Sequence, residues 1–413
     1  MKPKTKLVQA AGGTNYLIPF VLITSLFFLW GFAHSILDVL NKHFQDALDI
    51  SKTHSALIQA VVYGGYFLMA MPAGKIIQRY GYRIGVVTGL LLYGIGALMF
   101  IPGEQLMSFP YFLLSLFIIG CGLTCLETAA NPYVTVLGER EAAERRINLA
   151  QSFNGLGWIC GPLVGGLFLF AADGSKGNIA MPYAIIGTIV LLVALVFSRI
   201  RLPEIITEDT TETEATVKPL SAKRSLWSYR HFVFGLIALF FYVAAQTGIN
   251  SFFINYVTEH TAISAREAAL WLSFVGMGLF MAGRMAGSWV MGFIRSERLL
   301  MYAAIGGMLA MIVVMGGWGY FSIGAFFFCF FCESIMFPTI FALAIRGIGG
   351  HTKRASSYLI MSIVGGAVAP LLMGYIADTV STAIGFIVPL VCFLVILSYT
   401  CYLEISSKKS GHL

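Results

Sequence analysis

Charge is what this chain lacks. Asp, Glu, Lys and Arg supply 11% of its 413 residues, against about 25% in an average soluble domain. A water-soluble fold of this length needs far more polar surface, so that class is excluded. Other absences narrow the field further. No GxxxxGK[ST] phosphate loop is present, which argues against an ATP-driven pump. The seven cysteines (121, 125, 160, 329, 332, 392 and 401) have no histidine cluster beside them, so buried inert thiols are expected and no metal site. No nucleophile set or cofactor motif stands out, and neither an enzyme nor a bound cofactor is expected. A cleavable secretory signal is also missing. Lys2, Lys4 and Lys6 precede a long apolar run without a small-residue cleavage site, so the first helix is expected to insert and stay.

What is present is hydrophobic sequence, at 58% of residues. A helix needs about 20 mostly apolar residues to cross the hydrocarbon. Twelve such runs can be read, at 16–45, 54–77, 84–102, 110–137, 148–171, 181–200, 231–257, 267–291, 299–318, 320–346, 355–378 and 382–404. They are too long and too continuously apolar for barrel strands. The expected fold is an all-α membrane protein. Of the lysines and arginines, Lys42, Lys52, Lys176 and Arg266 fall in the loops of one side and Arg284 falls inside a span, while all the others fall on the opposite side. That bias predicts both termini on the cytoplasmic side of a bacterial inner membrane. The net charge of +7 is then a topology signal, with no implication of nucleic-acid binding. A monomer in the lipid bilayer is expected.

The chain divides in two. Residues 201–230 form its one long polar stretch, acidic and threonine-rich and then basic, as suits a cytoplasmic linker. Residues 1–200 and 231–413 are expected to form two pseudo-symmetric six-helix bundles. The halves echo each other. "ETAANP" at Glu127–Pro132 recurs as "ESIMFP" at Glu333–Pro338, and "GLGWICGP" from Gly155 faces "IVGGAVAP" from Ile363. "FFLWGFAHSILD" from Phe27 likewise faces "FFYVAAQTGINS" from Phe240. Two parallel repeats place a substrate site between them near the midplane, and suggest rocking of one half against the other.

Four charged residues sit inside spans: Asp38, Glu127, Arg284 and Glu333. A charge at the bilayer centre costs about 2.5–3.5 kcal/mol on insertion scales, so each needs a partner, a wet cavity or a proton. Asp38 can be a proton-linked or substrate-binding acid, or an acid capping near the outer interface. His34, one turn earlier on the same face, can tune Asp38, bind substrate or be a satisfied buried imidazole. Glu127 lies deeper. An acid there can load and release a proton as a cavity opens to each side in turn. The plainer alternative is a protonated acid making a packing hydrogen bond. Asn131 shares its face, and Pro132 frees a backbone carbonyl one turn back, which suits a binding site or a gating bend. Asn148, Gln151, Asn154 and Trp158 form one polar stripe, and Tyr242, Gln246 and Asn250 a second. Amides that both donate and accept suit the hydroxyls of a sugar, and an aromatic face packs on its C–H surface. Helix-to-helix polar glue, worth about 0.6 kcal/mol per contact, is the alternative. Arg284 and Glu333 are a candidate ion pair.

The loop "GKIIQRYGYR" at Gly74–Arg83, with twelve spans in two halves, resembles the major facilitator superfamily, whose loop reads G-x-x-x-D-R-x-G-R-R. Gly74, Arg79, Gly81 and Arg83 match, whereas Gln78 stands for the aspartate and Tyr82 for one arginine. The set "FFLWGFAHSILDVL", "CLETAANPYVTVLG", "INLAQSFNGLG" and "FPTIFALAI" resembles, over essentially the whole chain, the L-fucose:proton symporter branch. Members of that branch also carry glucose, galactose, mannose and N-acetylglucosamine. The resemblance implies substrate binding and proton coupling at Asp38 and Glu127. It also places Asn131, Gln151, Asn154 and Gln246 in a central polar cavity. His34 and Leu37 stand where some fucose permeases have asparagines, and Glu333 stands where a neutral residue is expected.

Proton-coupled import of a monosaccharide, L-fucose first, is therefore the leading expectation, with no cofactor. Sodium coupling, proton-exchange export of an amphiphile and a non-transporting sugar sensor are the alternatives. Export predicts a more apolar cavity than the amide stripes offer. A sensor usually carries a cytoplasmic signalling domain.

Overall fold

The computed structural model describes Val8 and residues 16–137, 143–170, 179–200, 225–291, 293–346, 348 and 352–409. Every regular element among them is helical. Twelve long helical segments follow one another. In the first half they are α1 (Leu17–Leu48), α2 (Lys52–Ile77), α3 (Arg79–Leu106), α4 (Phe109–Val136), α5 (Ala143–Phe168) and α6 (Ala180–Arg199). In the second they are α7 (Arg230–His260), α8 (Ala265–Gly287), α9 (Ser296–Met315), α10 (Tyr320–Ile345), α11 (Tyr358–Thr379) and α12 (Thr382–Ser406). Eleven of these are long and apolar enough to cross a membrane. The exception is α5, whose amides Gln151 and Asn154 dilute its apolar character, yet its 26 residues give a length of about 39 Å at 1.5 Å per residue. The expected all-α fold of twelve membrane helices stands. Most of the expected linker lies outside the described residues. Its end carries a short 3₁₀ turn at Leu226–Ser228.

Local chemistry explains the ends. α1 stops at Asp49, which adopts a left-handed conformation with φ 51°, and Ser51 caps the start of the next helix by accepting from the His54 N–H. Ser264 and Glu267 form a reciprocal capping box at the start of α8. In the Gly74–Arg83 segment the glycine that matters is Gly81, whose φ of +83° kinks the chain at the start of α3 and strains any residue with a Cβ. Gly74, in contrast, faces open space. Arg83 donates to the Phe197 carbonyl at 3.2 Å and to that of Ser198. It thereby satisfies the last carbonyls of α6, where a cation also suits the helix dipole.

The internal repeat is visible in the packing. Gly157 on α5 abuts the Phe28 carbonyl of α1, and Gly365 on α11 abuts the Phe240 carbonyl of α7. The two glycines are matched positions of the halves, and a methyl group at either meets backbone. α1 packs on α5, and α7 on α11. Large apolar side chains such as Leu68, Met71, Leu192, Leu309, Ile312 and Leu372 stand exposed on the outside. In water they would be a liability; in lipid they are the solvent-facing surface.

The halves meet along α1–α7, α5–α8 and α2–α11. The bonds between them run from the centre toward the end that carries Lys42, Lys52 and Arg266. Asn41 Nδ2 donates to the Ser251 carbonyl at 2.8 Å, and Asn255 Nδ2 donates to Gln45 Oε1. Lys52 pairs with Glu259 at 2.7 Å. The Asp378 carboxylate of α11 accepts from the Lys52 and Thr53 N–H groups and from the Thr53 hydroxyl. It thus caps the start of α2 from across the interface.

Candidate functional site

The centre of the interface is polar. Asp38, deep in α1 and 4% exposed, accepts at Oδ1 from Gln59 Nε2 of α2 at 3.0 Å and from Ser251 Oγ of α7 at 3.2 Å. Gln59 also donates to Ser251 Oγ at 2.9 Å. Asp38 and Ser251 occupy matched places in "FFLWGFAHSILD" and "FFYVAAQTGINS", so the pseudo-twofold relation brings equivalent positions into contact. One layer further in, Thr247 of α7 donates to the Tyr63 hydroxyl at 3.2 Å.

His34 does not turn to Asp38. Its Nε2 lies 2.9 Å from the Tyr66 hydroxyl, which also accepts from Trp30 Nε1 at 2.9 Å. The same hydroxyl interacts with the Glu127 carboxyl. Glu127 is 9% exposed, and its Oε2 has no partner. A tyrosine hydroxyl has one proton to give. With Trp30 donating, His34 Nε2 at 2.9 Å is the partner within hydrogen-bond distance. One hydroxyl therefore neighbours both the imidazole and the acid. Trp158 of α5 stacks on the His34 ring at 6.2 Å and 14°, leaving an aromatic wall beside the polar groups.

The other expected site residues separate into groups. Asn131, Gln151 and Gln246 are half-buried, with Asn131 Oδ1 unpartnered. Asn250 is buried with Oδ1 unpartnered. Asn154, expected in the cavity wall, gives its amide to the Phe27 carbonyl at 3.1 Å and ties α5 to α1. Tyr242 faces α10, donating to the Glu333 main-chain carbonyl at 3.1 Å. The Arg284–Glu333 pair is corrected: no ion pair joins them. Arg284 Nε donates to the Ser334 carbonyl at 3.3 Å, with its guanidinium over the Phe280 ring, and both Glu333 carboxyl oxygens are unpartnered. The reason is backbone chemistry. Pro338 has no N–H for the carbonyl four residues earlier, that of Ser334, and Arg284 fills the gap. The helical backbone of α4, in contrast, continues through Pro132 to Val136, so no break accompanies that proline. The side chains of Pro132 and Asn148 lie outside the described residues.

Gln59, Tyr63, Tyr66, Trp30, Thr247 and Ser251 were missed as site residues. A signal existed for some. Gln59, Tyr63 and Tyr66 fall at intervals of four and three on α2, and Trp30, His34 and Asp38 at intervals of four on α1. On α7 the residues that reach the first half are Thr247, Ser251 and Asn255, one position along from the stripe Gln246 and Asn250. Periodicity identifies a face but not the neighbour it meets.

A twelve-helix membrane fold in two matched halves, with a buried acid, imidazole and phenol at their junction, defines a secondary-transporter architecture. Comparison with known proteins agrees: the model of the Major Facilitator Superfamily matches residues 21–363, and this chain belongs to that family of transporters. Among its relatives, the L-fucose-proton symporter of Escherichia coli is 35% identical over 412 residues, covering 94% of this chain and 93% of that protein. The glucose/galactose transporter of Brucella abortus is 33% identical over 401 residues, covering 95% of each. The crystal structure of the transporter FucP in its outward conformation superposes with a TM-score of 0.67 at 34% identity, over 94% of this chain and 99% of that one. The xylose transporter XylE of Escherichia coli, inward open, gives a TM-score of 0.74 at 12% identity, over 92% of this chain and 95% of that one, which speaks to the fold alone.

Proposed function

We propose that the protein imports a monosaccharide together with a proton by alternating access, with L-fucose as the first candidate sugar. The observation that carries this reading is the cluster of His34, Tyr66 and Glu127 beside Asp38, Gln59 and Ser251, at the junction of the halves. It offers donors, acceptors and an aromatic wall, as a polyol requires, and acids that are able to take up a proton. Sugar binds between the halves with Glu127 protonated. Rocking then exposes sugar and proton to the cytoplasm, and loss of the proton from Glu127 redirects the Tyr66 hydroxyl and weakens the site. The cross-half bonds near Lys52 are the contacts that must part for the site to face outward. At about 0.6 kcal/mol per contact their sum is a few kcal/mol. Ligand binding is able to shift an equilibrium of that size.

A second sugar class has its own support, since relatives of comparable coverage are named for glucose and galactose. One experiment tests both. Labelled L-fucose, D-glucose, D-galactose, D-mannose and N-acetylglucosamine are offered to proteoliposomes under imposed proton or sodium gradients. Accumulation of L-fucose driven by protons and indifferent to sodium is expected. Accumulation of glucose or galactose alone replaces the sugar, a sodium requirement replaces the proton, and no uptake of any sugar overturns the reading. Both termini are proposed to face the cytoplasm, which places Lys52 and Asp378 outside.

A further inference from the structure

Glu333 is left without a role by the mechanism above. It is 0% exposed, and neither carboxyl oxygen has a partner. A structural acid is expected to show the hydrogen bond that justifies it, because a buried polar group without one is costly and an unpaired buried charge costs more. The neighbouring donors turn to the main chain and leave the carboxyl bare. The Tyr242 hydroxyl serves the main-chain carbonyl of Glu333, and Arg284 Nε serves that of Ser334. The surrounding titratable groups are Tyr242 on α7, Arg284 on α8 and Cys329 and Cys332 on α10 itself. Arg284 makes no ion pair with the carboxyl.

The location adds a second observation. α10 is interrupted here: one helix ends at Glu333 and the next begins at Met336. The interruption is held by side chains from two other helices, α7 and α8. A jointed segment of this kind can change the surroundings of its end residue as the halves rock. Glu333 also stands at the place matched to Glu127 in "ETAANP" and "ESIMFP". A metal ligand set does not form, since no group of three or more His, Cys, Asp or Glu gathers among the described residues. The small cation that suits one bare carboxyl with no further ligands is a proton.

We infer that Glu333 is a second proton-carrying site, in the half opposite Glu127, and that it moves one proton per transport cycle. This rests on the proton-coupled reading above and sets its stoichiometry. The Glu127 proton is linked to sugar binding. The Glu333 proton is linked to the joint in α10 and adds driving force, without touching sugar.

The test is the thermodynamic proton:sugar ratio, read as the limiting accumulation in proteoliposomes at a pH difference of about one unit with the membrane potential clamped at zero. Two protons give about 100-fold accumulation and one gives about tenfold. Wild type is expected at the first value, Glu333→Gln at the second, and Glu333→Asp, which keeps an acid, at the first. A ratio unchanged by Glu333→Gln overturns the inference. If that variant does not insert, the wild type still decides, because a ratio of one proton overturns it equally. A wild type that accumulates sugar on no proton gradient instead overturns the symport reading, a distinguishable failure.

Discussion

The two acids at matched places in the halves keep different company. Glu127 lies in a continuous helix, α4, beside a tyrosine hydroxyl shared with His34 and Trp30. Glu333 ends a broken helix segment, and its neighbours bond to the backbone while its carboxyl stays bare. The repeat therefore preserves the position of an acid without preserving its task. The first half has its polar groups connected side chain to side chain, as a binding site needs. The second half uses polar side chains to repair a proline-broken backbone. Pseudo-symmetry of sequence is a guide to place, and the neighbours decide the chemistry.

The sharpest way to break this comparison is Glu127→Gln. It keeps the shape and removes the proton. Uphill sugar uptake is expected to vanish while sugar counterflow between preloaded vesicles continues. Proton-driven accumulation at the wild-type level in this variant would falsify the coupling role.

Next comes Asp38→Asn. Gln59 and Ser251 both donate to one Asp38 oxygen, and an amide that turns its NH2 toward them leaves buried donors without an acceptor. That costs about 1–3 kcal/mol. It corresponds to roughly a 5- to 150-fold loss at 1.4 kcal/mol per decade. Tracer uptake or equilibrium binding of labelled sugar reads it, and wild-type values remove Asp38 from the site.

Tyr66→Phe is expected to do less, about a tenfold fall in sugar affinity from one or two neutral hydrogen bonds near 1 kcal/mol each. It separates the hydroxyl from mere packing because the pH profile of uptake should move as well. If affinity falls while the pH profile stays fixed, the hydroxyl does not link His34 to Glu127.

How much of this was legible beforehand follows the physics of each feature. Twelve spans were readable because hydrocarbon thickness imposes a length. The most polar of them, α5, was still found, since its amides lie on one stripe. The acids were readable because a charge in an apolar run is conspicuous. Their partners were not. Tyr66 and Tyr63 look like ordinary apolar residues until their hydroxyls are placed, and Ser251 looks like helix glue until Asp38 is seen across the interface. The Arg284–Glu333 pairing failed for a related reason. Charge complementarity suggested it, but the orphan carbonyl opposite Pro338 competed for the guanidinium and prevailed.

Tyr242 gives the finest discrimination between the halves. Its place in a polar stripe with Gln246 and Asn250 suggested contact with sugar, whereas in the structure its hydroxyl bonds to the Glu333 carbonyl at the joint of α10. Tyr242→Phe removes that bond and leaves a buried carbonyl short of one donor, a cost of about 1 kcal/mol. In a chain of this size that is a drop of a few degrees at most in thermal midpoint. Sugar affinity is expected to hold within about twofold, because the α7 residues bonded to the first half begin more than a turn later, at Thr247. A thermal-shift assay and a binding isotherm on the same preparation separate the two roles. An unchanged midpoint with a tenfold loss of affinity would return Tyr242 to the binding site and make the two halves more alike than their bonding indicates.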